Sequence, residues 1–272
     1  MGRQDDADAL DAELMRRRLP PSAVEAVASW LAGPGARYVA GVGGHSVTYV
    51  PAHWTGVEPW PARLAGQKHA QVMAISRSQV VDAVRDAVGR EAWSEALVAP
   101  YVWGQGRAGY GPHRLKKILA ASHVGDAVAE ARAALREKGA VAGYRALYGA
   151  VSGLGPAFFT KLLYFLDSLH FLDLTAGDPR SPRALILDRR VARVVRAHAQ
   201  RVGRDMGLDS AADVAGWVWS DGGWTPHRYE TYMGWMAAAT QQLREAGIGW
   251  PPEAQADLLE LALFDGVWDP AA

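Results

Sequence analysis

The sequence of 272 residues contains no cysteine. That absence excludes disulfides, thiolate metal sites and cysteine nucleophiles, although it leaves the redox compartment undetermined. The sequence also has no apolar run of the roughly 18 to 20 residues that a membrane helix needs, and its first residues lack the basic-then-apolar order of a signal peptide. We therefore expect a cytoplasmic protein without membrane contact.

Metal-ligand patterns and a charge surplus are lacking as well. The eight histidines include no His-x-x-x-His pair or other convincing ligand spacing, so we predict neither a metal nor a cofactor. The formal net charge is zero, which by itself argues against a nucleic-acid partner.

The distribution of charge is more informative than its sum. Acidic residues gather at the two ends of the chain. Between them, Tyr101 to Gly125 contains no acid, and Arg180 to Arg204 contains eight arginines with only Asp188 against them. These two stretches predict local phosphate-binding surfaces.

Helical periodicity recurs through most of the chain and predicts a mainly α fold. Tyr38 to Val50 differs, because its glycines and β-branched residues predict either a small β-hairpin or an ordered loop. Residues 1 to about 19 predict a polar helix or frayed tail with solvated charges. We divide the chain into residues 1–20, an acidic tail or helix; 21–92, the N-terminal part of a first helical lobe; 93–204, a helical lobe with the candidate site; and 205–272, C-terminal helices that return to the first lobe.

The candidate site lies between Val151 and Val195. Gly153-Leu154-Gly155 is a tight turn that leads into an apolar helix. Such a turn exposes backbone N–H groups at the start of the second helix, where one DNA phosphate fits, or it is an ordinary corner between two helices.

Two ionisable residues follow this turn. Lys161 is surrounded by apolar residues, so its amine either snorkels to the surface or is held near a cleft, as an amine nucleophile needs. Asp188 follows the apolar run Ala184 to Leu187 and precedes a basic helix. It is an N-cap or a catalytic carboxylate, and the two roles are compatible.

Aromatic residues supply candidate ligand-binding groups. Tyr101 to Pro112 interrupts the helical pattern with four glycines and a proline, which lets backbone approach a ligand closely. Trp103, Gln105 and Tyr110 in this segment supply stacking and hydrogen-bonding groups for a ligand, or they simply pack in a connecting loop.

The order of these features resembles the helix-hairpin-helix base-excision DNA glycosylases, and most of all the 8-oxoguanine glycosylase branch. The features are Gly153-Leu154-Gly155 leading into a helix, then an apolar segment ending in Asp188, then a helix that begins Arg189-Arg190-Val191. The resemblance is best over Tyr101 to Arg204, and the flanks match only in being helical and aromatic.

The resemblance implies a two-lobed helical DNA N-glycosylase of base excision repair that acts on double-stranded DNA with a damaged or modified base, such as an oxidised purine. We expect a monomer. In that family the hairpin grips a DNA phosphate, a lysine on the second hairpin helix attacks C1′ of the damaged nucleotide, and an aspartate at a helix N-cap assists. Carried over, Lys161 is the nucleophile, with lyase activity through a Schiff base, and Asp188 is the electrostatic and general-base partner. Further phosphate contacts are expected from Arg114, Lys116, Lys117, Arg189, Arg190 and Arg193. The resemblance also implies a pocket for the target base, with Trp103, Gln105 and Tyr110 as one wall, and Trp235, on a later helix, is either a stacking partner or a core aromatic.

One departure from the family pattern bears on the chemistry. Many lysine-bearing members place the lysine two residues after the second glycine of the hairpin, where this chain has Ala157, and Lys161 lies one helical turn further on. Without a lysine nucleophile the enzyme would be monofunctional, with Asp188 activating water. Two other functions stay open, a glycosylase against modified bases of foreign DNA and a catalytically silent DNA-binding module.

Overall fold

The structure is a computed structural model that describes residues 2–65, 71–107, 109–173 and 183–270. Helices dominate it, which confirms the predicted mainly α fold. They are α1 (Arg3–Arg16), α2 (Pro21–Ala32), α3 (Ala62–Ala65), α4 (Arg77–Gly89), α5 (Trp93–Ala96), α6 (Val98–Gln105), α7 (Gly111–Leu119), α8 (Val124–Lys138), α9 (Ala140–Leu147), α10 (Pro156–Asp173), α11 (Arg189–Asp205), α12 (Ala211–Val218), α13 (Pro226–Glu245) and α14 (Ala256–Phe264).

A small antiparallel sheet accompanies the helices. Strand β1 (Ser46–Tyr49) lies in the segment for which the sequence predicts a hairpin or a loop, and it pairs with β2 (Met73–Ser76). The register places Ser46 opposite Ser76 and Tyr49 opposite Met73. The second strand therefore comes from well beyond the predicted segment, and it directly precedes α4.

Residue contacts divide the chain into two compact units. Unit 1 comprises Met1–Val42 and Leu185–Ala272, and unit 2 comprises Gly43–Ala184. The four segments proposed from the sequence divide the chain at other points. A boundary after residue 92 separates α4 from α5, although these helices contact each other, and a boundary after residue 204 falls inside α11.

The N-terminal helix α1 is an integral part of unit 1, packed against α11, α12 and α13. Its residues Ala7, Leu10 and Leu14 are buried. Asp11 is only 1% exposed and forms an ion pair with Arg228, which is also buried. The prediction that all charges of this helix are solvated is therefore wrong, because its apolar face is covered and Asp11 lies on that face.

In unit 2, α10 is the central helix. It packs against α4, α6, α8 and α9, and its residues Leu162, Leu163 and Phe165 are fully buried. A helix surrounded in this way buries residues on most of its faces. This arrangement explains why the lysine that α10 carries is enclosed by apolar neighbours.

Candidate active site and nucleic-acid interface

The helices α9 and α10 form a helical hairpin whose turn presents its backbone to solvent. Gly153 has φ +81°, a left-handed conformation that favours glycine. Leu154 is buried and its N–H donates to the Val151 carbonyl at 3.1 Å. Gly155 is exposed, and its carbonyl accepts the N–H of Phe158 at 2.9 Å. Leu154 thus anchors the turn while the two glycines stay accessible, and the first N–H groups of α10 have no acceptor within their own helix.

The basic helix α7 lies beside this turn. A Cβ added to Gly153 would lie 3.7 Å from Ile118 of α7, and His123 Nε2 lies 3.1 Å from the Ala150 carbonyl oxygen. The inner face of α7 is apolar, whereas its cations are exposed and form no ion pair within the described ranges. The structure therefore brings the hairpin turn close to a helix that carries Arg114, Lys116 and Lys117.

Lys161 lies on the second turn of α10 and is only 6% exposed. Its Nζ donates to the Ala157 carbonyl oxygen at 2.6 Å and lies 5.7 Å from the centroid of the Phe158 ring. The side chain bends toward the N-terminus of its helix, as helical side chains do. The ammonium group is thus held on the turn that carries Ala157 and does not snorkel into solvent.

The helix α6 forms the wall beside this lysine. Tyr101 stacks on Phe158 with ring centroids 4.2 Å apart, and burial raises the pKa of Tyr101 to about 12. One turn further along α6, a Cβ added to Gly104 would overlap the Cδ and Cε methylenes of Lys161. The missing side chain of Gly104 therefore provides the space in which the lysine stem lies.

Asp188 is the N-cap of α11, as predicted. Its Oδ1 accepts the N–H groups of Arg190 at 2.9 Å and Val191 at 3.1 Å. The residue is half-buried, with φ −119° and ψ 179°. A carboxylate held by two backbone donors has a defined position, which an electrostatic or general-base role requires.

Side chains of α13 and α14 hold the extended apolar segment that precedes α11. The Tyr229 hydroxyl accepts the N–H of Leu185 at 3.1 Å and donates to its carbonyl at 2.9 Å. The Tyr232 hydroxyl donates to the Ile186 carbonyl, and a Glu260 carboxylate oxygen accepts the Ile186 N–H, both at 2.9 Å. Buried backbone groups are thereby satisfied without a neighbouring strand.

Sequence reasoning did not find these three supporting residues. Two signals were present in the sequence. Glu260 is the one acid inside the apolar run Leu258 to Leu263, and Tyr229 and Tyr232 have i, i+3 spacing on one helix. A lone acid in an apolar helix and two tyrosines on one face both indicate buried hydrogen-bonding groups.

Lys161 belongs to unit 2, whereas Asp188 belongs to unit 1. Each has the local environment described above. Their convergence on a single substrate stays a prediction.

The predicted base-pocket residues Trp103, Gln105 and Tyr110 do not form one exposed wall. Helix α6 continues through Gln105, so Trp103 and Gln105 lie on a helix and not in a loop, and residues two apart on a helix face different sides. Trp103 is 5% exposed and packs edge-on against Phe165, while Tyr110 is 60% exposed. This part of the prediction is corrected: the tryptophan is interior and the tyrosine projects outward.

Trp235 is also corrected as a base-stacking residue. Its side chain is 0% exposed in the core of unit 1, where its ring lies 5.4 Å from the ring of His198. His198 is buried as well, and burial lowers its pKa to about 4. The aromatic spacing on α13 therefore serves the core, since Trp235 has no accessible face for a base.

The arginines of α11 differ in their environments. Arg189 and Arg190 are exposed, and the Arg190 guanidinium lies 4.8 Å from the centroid of the Phe264 ring. Arg193 pairs with Asp221 at 2.9 Å, and its hydrogen bond holds the pKa of that carboxyl below the ordinary value. Arg193 is thus already engaged by an acid, unlike the cations of α7.

Within the described residues no group of three histidine or acidic side chains is arranged to hold a metal ion. None of the described helices is both long enough and apolar enough to cross a membrane.

Residues 40–264 match the model of a family described as "Putative 8-oxoguanine DNA glycosylase OGG-like protein". No curated protein and no solved structure is significantly similar to the chain. The match spans most of the 272 residues, and it includes both the hairpin and the Asp188 segment. The chain therefore belongs to the OGG-like 8-oxoguanine DNA glycosylase family, in agreement with the resemblance found in its sequence.

Proposed function

We propose that the protein is a DNA N-glycosylase that removes an oxidised or otherwise modified purine, with 8-oxoguanine as the first candidate, from double-stranded DNA. The observation that carries the proposal is the placement of Lys161. Its ammonium group is almost fully enclosed and lies one turn behind an exposed hairpin, in a chain of a glycosylase family. An amine in such a setting is suited to covalent catalysis once it has lost its proton.

In the proposed reaction the neutral amine of Lys161 attacks C1′ of the damaged nucleotide. The bond between C1′ and the base nitrogen breaks, and the base leaves with the electron pair and takes up a proton. Opening of the sugar ring then gives a Schiff base between Lys161 and C1′, from which β-elimination releases the 3′ phosphate. Asp188, fixed by two backbone N–H groups, stabilises the positive charge that develops on the sugar.

Access to C1′ requires the target nucleotide to leave the base stack, at a cost of a few kcal/mol. Contacts with the DNA backbone must offset that cost. The exposed turn Gly153 to Gly155 and the unpaired cations of α7 lie side by side in unit 2, and they are suited to grip phosphates. We assign Arg189 and Arg190 of unit 1 the same role.

The test is a borohydride trapping experiment with a duplex that contains 8-oxoguanine. Borohydride reduces a Schiff base to a stable amine, so the wild-type protein is expected to form a covalent adduct and Lys161→Ala none. Asp188→Asn should lower the single-turnover rate of base release by about 10²-fold to 10³-fold. Lys138→Ala, at the exposed end of α8, serves as the matched lysine control and should trap like the wild type.

Ala157 at the family's lysine position favours one alternative, a monofunctional glycosylase. In that case the wild type releases the base without a trapped adduct, Lys161→Ala retains this activity, and Asp188→Asn loses it because Asp188 activates water.

A panel of modified duplexes separates oxidative lesions from modified bases of foreign DNA. If no duplex in the panel loses a base and Asp188→Asn leaves DNA binding intact, the protein is a silent binding module and the glycosylase proposal is wrong.

A further inference from the structure

We propose that a second phosphate of the DNA backbone binds in a cavity of unit 2 at the N-terminal end of α7, away from the hairpin turn. This inference rests on the proposed function in taking DNA as the ligand. The cavity has a volume of about 430 Å³ and is lined by His53, Gly109, Pro112, His113 and Lys116. Its lining contains three groups that donate N–H hydrogen bonds and no carboxylate, so it is suited to an anion.

The position of Lys116 in this cavity depends on a glycine. Gly56 has φ +73°, and a Cβ added to it would lie only 3.2 Å from Lys116 Nζ. The ammonium group therefore rests against bare backbone, three residues after His53. Lys116 forms no ion pair with any residue that the structure describes, so its charge is available to a ligand.

The first turn of α7 also lines the cavity. His113 lies in that turn, where the unsatisfied backbone N–H groups and the helix dipole also favour negative charge. The ring of Tyr110 lies 5.2 Å from that of His113, and the Arg114 guanidinium lies 5.2 Å from the centroid of the same tyrosine ring. Arg114 therefore adds a positive charge to the same turn of α7.

The geometry of α7 separates this cavity from the hairpin. Helix α7 has 9 residues, which correspond to a length of about 13 Å. Pro112, His113 and Lys116 line the cavity, whereas Ile118, two residues after Lys116, lies beside Gly153 of the hairpin. Residues two apart on a helix point to different sides, so the cavity and the hairpin contact different faces of α7. One strand of DNA that follows α7 would therefore place different phosphates at the hairpin and at the cavity.

The salt dependence of duplex binding tests this proposal, because each phosphate contact contributes about one unit to the slope of log K against log salt. We expect Lys116→Met to lower the slope by about one. The double variant His53→Ala/His113→Ala, which removes two N–H donors from the cavity, should weaken duplex binding. The triple variant should also lower the slope by about one, because all three side chains contact the same phosphate. Lys138→Met, with an equally exposed lysine at the C-terminal end of α8, should keep the wild-type slope.

A second arm uses inorganic phosphate as the probe, titrated against the NMR signals of the two histidines. The proposal is supported if Lys116→Met loses one unit of slope and the histidine double variant loses duplex affinity while the thermal melts stay unchanged. It is overturned if the wild type binds duplex while Lys116→Met keeps its slope or the histidine double variant keeps its affinity, and also if only inorganic phosphate binding is lost. A wild type that neither binds duplex nor releases a base would instead overturn the proposed function.

Discussion

At the scale of single residues, Lys161 owes its position to a residue without a side chain. Gly104→Ala would place a methyl group where the Cδ and Cε atoms of the lysine now lie. The lysine stem is flexible, so we expect the amine to swing aside and the helix to stay folded. A displacement of about 1 Å can cost about 10²-fold in rate. The predicted result is at least a tenfold slower borohydride trapping reaction with an unchanged or higher melting temperature, because alanine is the better helix former.

The control for this variant is Gly216→Ala. Gly216 also lies in a helix, α12, but a Cβ there has nothing within 4 Å. It should gain helix stability without any change in trapping. Equal trapping rates for Gly104→Ala and the wild type would show that Gly104 does not position the lysine.

His198 gives a prediction about pH. Its ring nitrogens are buried without hydrogen-bond partners among the described residues, and burial lowers its pKa to about 4 from 6.5. The unfolded chain therefore binds the proton more readily than the folded chain does. The contribution of neutral His198 to folding stability is complete above about pH 6.5 and is lost as the pH falls toward 4. Between pH 7 and pH 4.5, protonation of His198 should lower the free energy of unfolding by roughly 2 to 3 kcal/mol.

Urea denaturation at the two pH values measures this loss. Other acids contribute to acid destabilisation too, so the comparison is with His198→Leu, which cannot take up a proton. The variant should lose less stability between pH 7 and pH 4.5 than the wild type does. An identical loss in both proteins would contradict a buried neutral imidazole.

At the scale of elements, α1 is joined to α13 by a buried charge pair. Asp11 contacts Arg228, whose pKa is lowered by burial. Asp11→Ala would leave a buried guanidinium without its carboxylate, which costs about 3 to 5 kcal/mol. We expect a loss of that size in the free energy of unfolding, measured in urea. Asp6→Ala on the same helix, with its acid in the first turn, should cost less than about 1 kcal/mol.

The same helix illustrates what a sequence can and cannot predict. Helices with a clear apolar stripe or a start signal were predictable within a few residues, as with α4 after Ser76 and α11 after Asp188. The burial of Asp11 was not, because its partner lies more than two hundred residues away in the chain. Strand β2 was missed for a related reason, since its pairing with β1 is not local.

The candidate site shows a similar limit. The N-cap role of Asp188 follows from local sequence, an apolar run followed by an acid and a basic helix. The supports of that run, Tyr229, Tyr232 and Glu260, come from other helices. The aromatic residues were misjudged because glycine content alone suggested a loop where α6 in fact continues through Gln105, so tertiary packing overrode the local signal.

At the scale of the whole molecule, the net charge is zero. The cations of the two units nevertheless differ, because some of them form ion pairs with acids and others do not. In unit 1, Asp221 engages both Arg193 and Arg196, at 2.9 and 3.3 Å. In unit 2, the exposed cations of α7 have no such partners among the described residues. Affinity for phosphate depends on unpaired local charge and not on the total, so a neutral chain is compatible with the proposed DNA contacts.

The division into units predicts how a truncation acts. Unit 1 is built from both ends of the chain, whereas unit 2 is one continuous segment. Deletion of residues 1–18 removes α1 and uncovers the face of α13 on which it packs, including Arg228. Local stability follows local contacts. Amide hydrogen exchange should therefore become faster in α11, α12 and α13, while α8 and α10 of unit 2 keep their protection.

The amides of unit 2 act as an internal control in the same sample, since both units share one chain, one solvent and one labelling time. Loss of protection in α10 to the same extent as in α13 would mean that the two units unfold together, and the predicted independence would be wrong. Unchanged protection in α13 would mean that α1 adds little to unit 1, against the burial of its Leu10 and Leu14. The prediction is confirmed if the amides of unit 2 keep their protection while those of α11, α12 and α13 lose it.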